Sequence, residues 1–132
     1  MLLPDLRKNY PMELKRLDNE LTVCKVASAD DVDLSGELVF VGKTDEEVSL
    51  VCETCNVPAG AIAREDGWRC FRIQGVLDFS LVGILAKIAD VLADEGIGIF
   101  AVSTFNTDYI LVKEGNFDRA LDALAAAGYA VV

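Results

Sequence analysis

The spacing of apolar residues in the second half of the chain is the feature that most restricts its fold. The segment WRCFRIQG (68–75) alternates in polarity and carries aromatic and β-branched residues, which predicts a strand. The following segment changes to a spacing of three and four residues, which predicts a helix. Its apolar stripe consists of Leu81, Ile84, Leu85, Ile88 and Leu92. Ser80 is predicted to cap the start of this helix and Gly96 to follow its end.

The same alternation of strand and helix patterns occurs a second time. IGIFAVS (97–103) and YILV (109–112) are predicted strands, joined by the turn TFNTD into a hairpin. Asn116 is predicted to cap a second helix, which Gly128 ends before the closing strand YAVV. The stripe of this helix is formed by Phe117, Ala120, Leu121 and Leu124. The order β-α-β-β-α-β predicts an α+β, ferredoxin-like fold, an antiparallel sheet with both helices on one face.

The first half is rich in predicted strands and poor in helices. Its strand candidates are MELKRL, ELTVCKVA, LVFVGK and EVSLVCE. The segments ADDVDLSG and VPAGAIARE are long enough only for short helical turns. One interpretation is a degenerate copy of the same unit over residues 1–66, before a complete one over residues 67–132, but no sequence identity between the halves is visible and periodicity alone does not establish a repeat.

Composition narrows the classes of function. Acidic residues outnumber basic ones by 22 to 12, giving a net charge of −10, and histidine is absent. Such a charge disfavours binding to nucleic acid or to an anionic membrane. The lack of histidine removes the usual general base and the commonest metal ligand. We expect a cytoplasmic protein with no catalytic residues, no metal and no cofactor, and not an enzyme.

The four cysteines leave a further alternative open. Cys52 and Cys55 form a C-x-x-C pair, while Cys24 and Cys70 lie in strand-like segments. A redox motif should open a helix, but Pro58 and Gly60 interrupt any long helix after this pair. Reduced, inert thiols are the favoured interpretation, and a cysteine-dependent redox or metal protein is the alternative.

The segment GVLDFSLVGILAKIADVLADEGIGIFAVSTFNTDYILV resembles the ACT domain family. Asp78, Gly83 and the pair Gly96-Ile97 match elements of the usual pattern, although Val82 stands where many members have proline. The string STFNTDYILV (103–112) resembles a narrower tandem-ACT branch, which includes small bacterial proteins and the CASTOR-type cytosolic arginine sensors. GKTDEEVSLVCE resembles the N-terminal module of that branch. The resemblance covers roughly residues 12–132.

The resemblance implies a site for a free amino acid. Its ligand-binding residues would be Asp78, Phe79, Ser80, Leu81, Val82, Gly83, Thr104, Phe105, Thr107 and Asp108. A helix N-terminus suits the carboxylate of the ligand, and Asp108, with Asp78 second, is the candidate for its ammonium group. Leu81 and Thr107 replace an acidic and an aromatic residue of the arginine sensors, which argues against arginine. Both acids also suit a purely structural role in a turn.

The expected function is that of an amino-acid-binding regulatory protein. We expect a homodimer in which the loop 78–83 faces a neighbouring module, so that ligand biases the packing of modules or subunits. Any output would pass to a separate partner protein. A ligand-free interaction module of the same fold is the alternative, because its sequence would look alike.

Overall fold

The computed structural model describes residues 12–75 and 83–132. In this part of the chain the helices are α1 (Ile84–Asp94) and α2 (Glu114–Ala126). The strands are β1 (Glu13–Arg16), β2 (Leu21–Val26), β3 (Phe40–Lys43), β4 (Val48–Glu53), β5 (Ala63–Ile73), β6 (Phe100–Ser103), β7 (Asp108–Lys113) and β8 (Ala130–Val131). The chain forms two compact units. The inserted unit is Asp18–Arg69, and the C-terminal unit is Cys70–Val132 together with the segment that ends at Leu17.

The C-terminal unit has the predicted ferredoxin-like architecture with one added strand. Its strands lie in the order β8-β1-β5-β7-β6, with β5 contributing its end from Cys70 onward. Leu14 of β1 pairs antiparallel with Ile73 of β5 and parallel with Val131 of β8. The sequence placed β1 in the N-terminal module, but its backbone partners belong to this unit.

Both helices of this unit pack against the sheet through the predicted apolar stripes. Ile88 and Leu92 of α1 and Leu124 of α2 are fully buried in one hydrophobic cluster. The strand side chains in that cluster are Leu14, Phe71, Ile73, Ile110 and Val112. Because strand side chains alternate between faces, these residues define one face of the sheet, and both helices cover it.

The two helices end in the same way, with glycine in the left-handed region. In α1, Gly96 has φ +71°, and the Ile97 amide donates to the Leu92 carbonyl at 2.9 Å. Gly128 (φ +106°) follows α2, where the Tyr129 amide donates to the Leu124 carbonyl at 3.1 Å. These bonds satisfy carbonyls that the helix itself leaves unpaired, as in a Schellman motif. Both predicted stops are confirmed.

The predicted helix starts are wrong. Gly83, and not Ser80, stands at the N-cap position of α1. Lys113 occupies that position in α2, so Asn116 lies within the first turn and accepts a hydrogen bond from Arg119 at 3.2 Å. Neither cap residue bonds through its side chain to the helix backbone. A cap prediction from residue type alone therefore missed both starts.

The inserted unit contains β3-β4-β2-β5 in that order, with β5 contributing its N-terminal part. Where the C-terminal unit has helices, this unit has 3-10 helices of three residues, Ala29–Asp31 and Thr54–Asn56. The first confirms a predicted short turn, whereas the second lies just before the segment 57–65 in which a turn was predicted. Its core consists of Cys24, Val26, Val48, Leu50 and Cys52.

The hairpins of the two units have the same register. In the inserted unit the pairs are Phe40–Val51, Val41–Leu50, Gly42–Ser49 and Lys43–Val48. In the C-terminal unit they are Phe100–Leu111, Ala101–Ile110, Val102–Tyr109 and Ser103–Asp108. Each hairpin closes on a threonine: the amide of Thr44 donates to the Glu47 carbonyl, and that of Thr104 to the Thr107 carbonyl, both at 2.9 Å. The two hairpins therefore share one turn geometry, while the tandem modules and their division between residues 66 and 67 stay a prediction.

Among the described residues, no helix is both long and apolar enough to span a bilayer.

Candidate functional site

The predicted hairpin residues form the tip between β6 and β7. The Thr104 hydroxyl donates to the Thr107 carbonyl at 2.9 Å, which closes the turn together with the backbone bond. Between them, the ring of Phe105 is 78% exposed. Phe105 is therefore not a core residue of this chain, and its assignment to the ligand-binding residues stays a prediction. Exposed aromatic rings at turns are common contact residues for ligands and other subunits.

One buried hydrogen bond fixes the position of this tip. Thr107 is only 6% exposed, and its hydroxyl donates to the carbonyl of Ile73 at 2.7 Å. Ile73 is the last residue of β5, so the tip lies beside the point where the chain leaves that strand. Because the Thr107 hydroxyl is buried and hydrogen-bonded to Ile73, it positions the tip.

The predicted anionic residue of the tip is held by its neighbour. The Ser103 hydroxyl donates to Asp108 Oδ1 at 2.6 Å, and Asp108 is half-buried. One carboxylate oxygen is thus oriented by the serine, which leaves the other oxygen able to accept from a ligand. Beside it, Arg72 lies over the Tyr109 ring, with Cζ 6.0 Å from the centroid. The tip therefore combines acidic, hydroxyl and aromatic groups.

The second part of the predicted site is the start of α1. Gly83 has φ +80°, and a Cβ added there would meet no atom within 4 Å. Unlike α2, whose first turn carries Glu114, the first turn of α1 contains no acidic residue. Its N–H groups and partial positive charge are thus not neutralised by a side chain of that turn. The residues Asp78, Phe79, Ser80, Leu81 and Val82 lie outside the described residues.

Three of the four cysteines are buried. Desolvation raises the pKa of Cys24, that of Cys52 to about 11, and that of Cys70 to about 12. Thiols with such pKa values carry little thiolate near neutral pH, and thiolate is the reactive form. Cys55 is exposed. Within residues 12–75 and 83–132, no three cysteine or acidic side chains form a group suited to a metal ion.

Sequence reasoning missed the contacts that organise the tip. Two contacts connect β5 with the β6–β7 hairpin. One is the hydrogen bond from Thr107 to Ile73, and the other is the stacking of Arg72 over the Tyr109 ring. The sequence predicted each strand but gave no direct signal for which strands are neighbours. The serine before the turn was a usable signal, since Ser103 and Asp108 occupy opposite positions of a predicted hairpin.

Known proteins are similar to this chain in sequence and in fold. The sequence profile of the ACT domain matches residues 63–126. Subunit 1 of the cytosolic arginine sensor for mTORC1 from Homo sapiens is 41% identical over 58 residues, which are 43% of this chain and 18% of that protein. The chain thus matches less than a fifth of the length of that relative.

Solved structures resemble the chain over most of its length. A crystal structure of a protein from Agobacterium tumefaciens has a TM-score of 0.81 and 31% identity, covering 92% of each chain. The ligand-free regulatory subunit of aspartate kinase from Thermus thermophilus has a TM-score of 0.63 over 86% of this chain and 95% of its own, at 12% identity, which shows the fold alone.

The fold is of the ferredoxin-like α+β class, and residues 63–126 of the chain match the ACT domain family.

Proposed function

We propose that this protein binds a free amino acid between the hairpin tip and the start of α1, and that it acts as a regulatory sensor. The supporting observation is the Thr107–Ile73 hydrogen bond of 2.7 Å, which sets the tip beside the strand end from which the chain continues to Gly83. Asp108 would accept from the ligand's ammonium group, and the N–H groups of α1 would donate to its carboxylate.

In this proposal the other predicted residues would surround the ammonium and carboxylate groups of the ligand. Asp78, Phe79, Ser80, Leu81 and Val82 would contribute the segment that joins the two described parts. Regulation would follow from differential affinity, since a ligand shifts an equilibrium only if it binds one arrangement better than another. The relative named as an arginine sensor supports a regulatory role.

A thermal-shift screen of the twenty amino acids tests this function. A ligand at 100 times its Kd should add about 2.7 kcal/mol to the free energy of unfolding. In Asp108→Asn, which keeps an oxygen for Ser103 but removes the charge, the shift should largely disappear. Asp90→Asn on the exposed side of α1 makes the same charge change and should keep the full shift. A hit that survives Asp108→Asn unchanged contradicts the site.

The exposed Phe105 supports a second candidate, an interaction module without a small ligand. Two results together would favour this candidate. No amino acid would stabilise the protein, and the variant Phe105→Asp would dissociate its oligomer.

A further inference from the structure

Three of the four cysteines belong to the inserted unit, and two of them are in direct contact. The β2–β4 register places Thr22 opposite Cys52, so Cys24 is a diagonal neighbour of Cys52 on the same face of the sheet. Both side chains belong to the buried core of this unit. The Cys52 thiol donates a hydrogen bond to the Cys24 sulfur. The side chains thus point towards each other, which a disulfide requires.

Cys55 is a third thiol, at the surface beside this pair. It lies in the 3-10 helix Thr54–Asn56, which begins directly after β4. The Thr54 and Thr22 hydroxyls are 2.9 Å apart, and this hydrogen bond holds the start of the helix against β2. Burial raises the pKa of Cys52 most and Cys24 raises it further, while exposed Cys55 is near enough to add to the shift. The three thiols therefore form a series from the surface to the core.

One cation faces both buried thiols. Arg64 of β5 is the register partner of Cys24. Burial raises the pKa of Cys24, and the charge of Arg64 opposes this shift, as it does for Cys52. Asp66, which accepts from Arg64 Nη2 at 2.9 Å, raises the pKa of Cys24. Because Cys52 donates to Cys24, the hydrogen bond favours the Cys24 thiolate, and Cys24 ionises more readily than Cys52.

Access decides which of these thiols can meet a reagent in solution. Cys24 is 4% exposed and Cys52 is 2% exposed, and thiol–disulfide exchange requires that the attacking sulfur reach its target. Cys55 is exposed and forms the C-x-x-C pair with Cys52. The accessible route to the buried pair therefore begins at Cys55.

We propose that Cys55, Cys52 and Cys24 form a thiol relay through which a small disulfide of the glutathione type, RSSR, oxidises the Cys24–Cys52 pair. The Cys55 sulfur attacks RSSR, forms a mixed disulfide and releases RSH, which takes the proton of Cys55. Cys52 then attacks the Cys55 sulfur and passes its proton to the second RSH. Finally, Cys24 attacks the Cys52 sulfur, and its proton restores the Cys55 thiol. In sum, two protein thiols become one disulfide and RSSR is reduced to two RSH.

The product links β2 to β4 across the core of the inserted unit. The cross-link closes a loop that contains the 3-10 helix Ala29–Asp31 and β3. Because a closed loop restricts the unfolded chain, the oxidised unit unfolds at a higher denaturant concentration than the reduced one. The thiol–disulfide state thus controls the stability of this unit, and this inference does not rest on the function proposed for the hairpin tip.

Oxidation of the folded full chain tests the relay. The protein is incubated with oxidised glutathione, remaining thiols are alkylated in denaturant, and unreduced peptides are mapped by mass spectrometry. The expected product is a Cys24–Cys52 disulfide with Cys55 and Cys70 alkylated, which dithiothreitol reverses. A lasting adduct on Cys55, or a disulfide that ends at Cys52–Cys55, overturns the proposal.

Cys70 provides an internal control for unfolding. It is fully buried in the C-terminal unit, so it meets glutathione only when that unit opens. If Cys70 reacted as fast as the Cys24–Cys52 disulfide formed, the reaction would pass through unfolded chains and the relay would be refuted. In urea, the oxidised protein should have a higher midpoint than the reduced one, and equal midpoints would contradict the cross-link in the core.

Matched variants test the entry point. Cys55→Ser removes the exposed thiol and should slow formation of the Cys24–Cys52 disulfide about tenfold or more, because access is lost. Ala93→Cys in that background restores an exposed thiol, but on α1, and should not restore the rate. An unchanged rate in Cys55→Ser, or full recovery with Ala93→Cys, would show that oxidation does not enter through Cys55.

Discussion

Thr107 is one of the ligand-binding residues that the family resemblance implies, but in the structure its side chain makes an internal hydrogen bond. Its hydroxyl is buried and donates to the carbonyl of Ile73 at the end of a strand. A buried hydrogen bond of this kind contributes about 1 kcal/mol to the free energy of unfolding. The residue therefore acts on the site by placing the tip, whatever the ligand.

Thr107→Val should lower the free energy of unfolding by about 1 kcal/mol, because the isosteric side chain cannot donate the buried hydrogen bond to the Ile73 carbonyl. Urea denaturation monitored by circular dichroism measures this loss. Thr107→Ser retains a hydroxyl and serves as the control, with a smaller effect. An unchanged midpoint in the valine variant would show that water or another donor replaces the threonine.

The buried thiols predict an alkaline loss of stability. Burial raises the pKa of Cys70 from 9.0 to about 12, so the native state keeps a proton that the unfolded state releases above pH 9. The contribution of Cys70 is thus fully present below pH 9 and is lost as pH rises towards 12. Within that window the free energy of unfolding should fall by up to about 1.4 kcal/mol per pH unit for each such thiol.

Cys70→Ala should reduce this slope, although its stability at neutral pH will be lower because a buried atom is removed. Denaturation series at several pH values above 9 provide the measurement. If wild type and variant showed parallel pH profiles, the assignment of the slope to Cys70 would be wrong.

At the scale of helices and strands, the sequence predicted the features that depend on local periodicity. Both helix stripes, the hairpin and the glycine stops agree with the structure, since each depends on residues close in sequence. The position of β1 was not predictable in this way, because its pairing with β5 and β8 joins distant segments. The N-cap predictions were wrong for another reason, because neither helix has a side-chain hydrogen bond at its N-cap.

The glycine stop of α1 can be tested against a glycine only two residues away. Gly96→Ala forces a Cβ into the left-handed region and should destabilise the protein by about 1–2 kcal/mol. Gly98→Ala, where φ is ordinary and a Cβ would meet no atom within 4 Å, should change stability by less than about 0.5 kcal/mol. Thermal unfolding of both variants gives the comparison, and equal effects would contradict a conformational cause.

At the scale of the whole molecule, the two units differ strongly in charge. Residues 18–69 contain 12 acidic and 4 basic side chains, so this unit holds −8 of the total charge of −10. The C-terminal unit is therefore nearly neutral and carries the exposed ring of Phe105. Self-association meets less electrostatic resistance through a nearly neutral surface than through a strongly acidic one.

We predict that the protein is a homodimer assembled through the C-terminal unit. Size-exclusion chromatography with light scattering should give twice the chain mass of 14.3 kDa. Phe105→Asp should shift the mass to that of a monomer while leaving the helical content unchanged, because the ring is exposed within the chain. A wild-type protein that stays monomeric at high concentration would refute both the dimer and this use of Phe105.

The order β8-β1-β5 has a consequence for how the protein is made. Leu14 leaves the ribosome early, yet its parallel partner Val131 is among the last residues of this sequence to be synthesised. The inserted unit has all its strands available long before that, and β1 can pair with β5, but the pairing of β1 with β8 must wait for Val131. Pairings between such distant segments slow folding, so closure of the C-terminal sheet should be the late step of biogenesis.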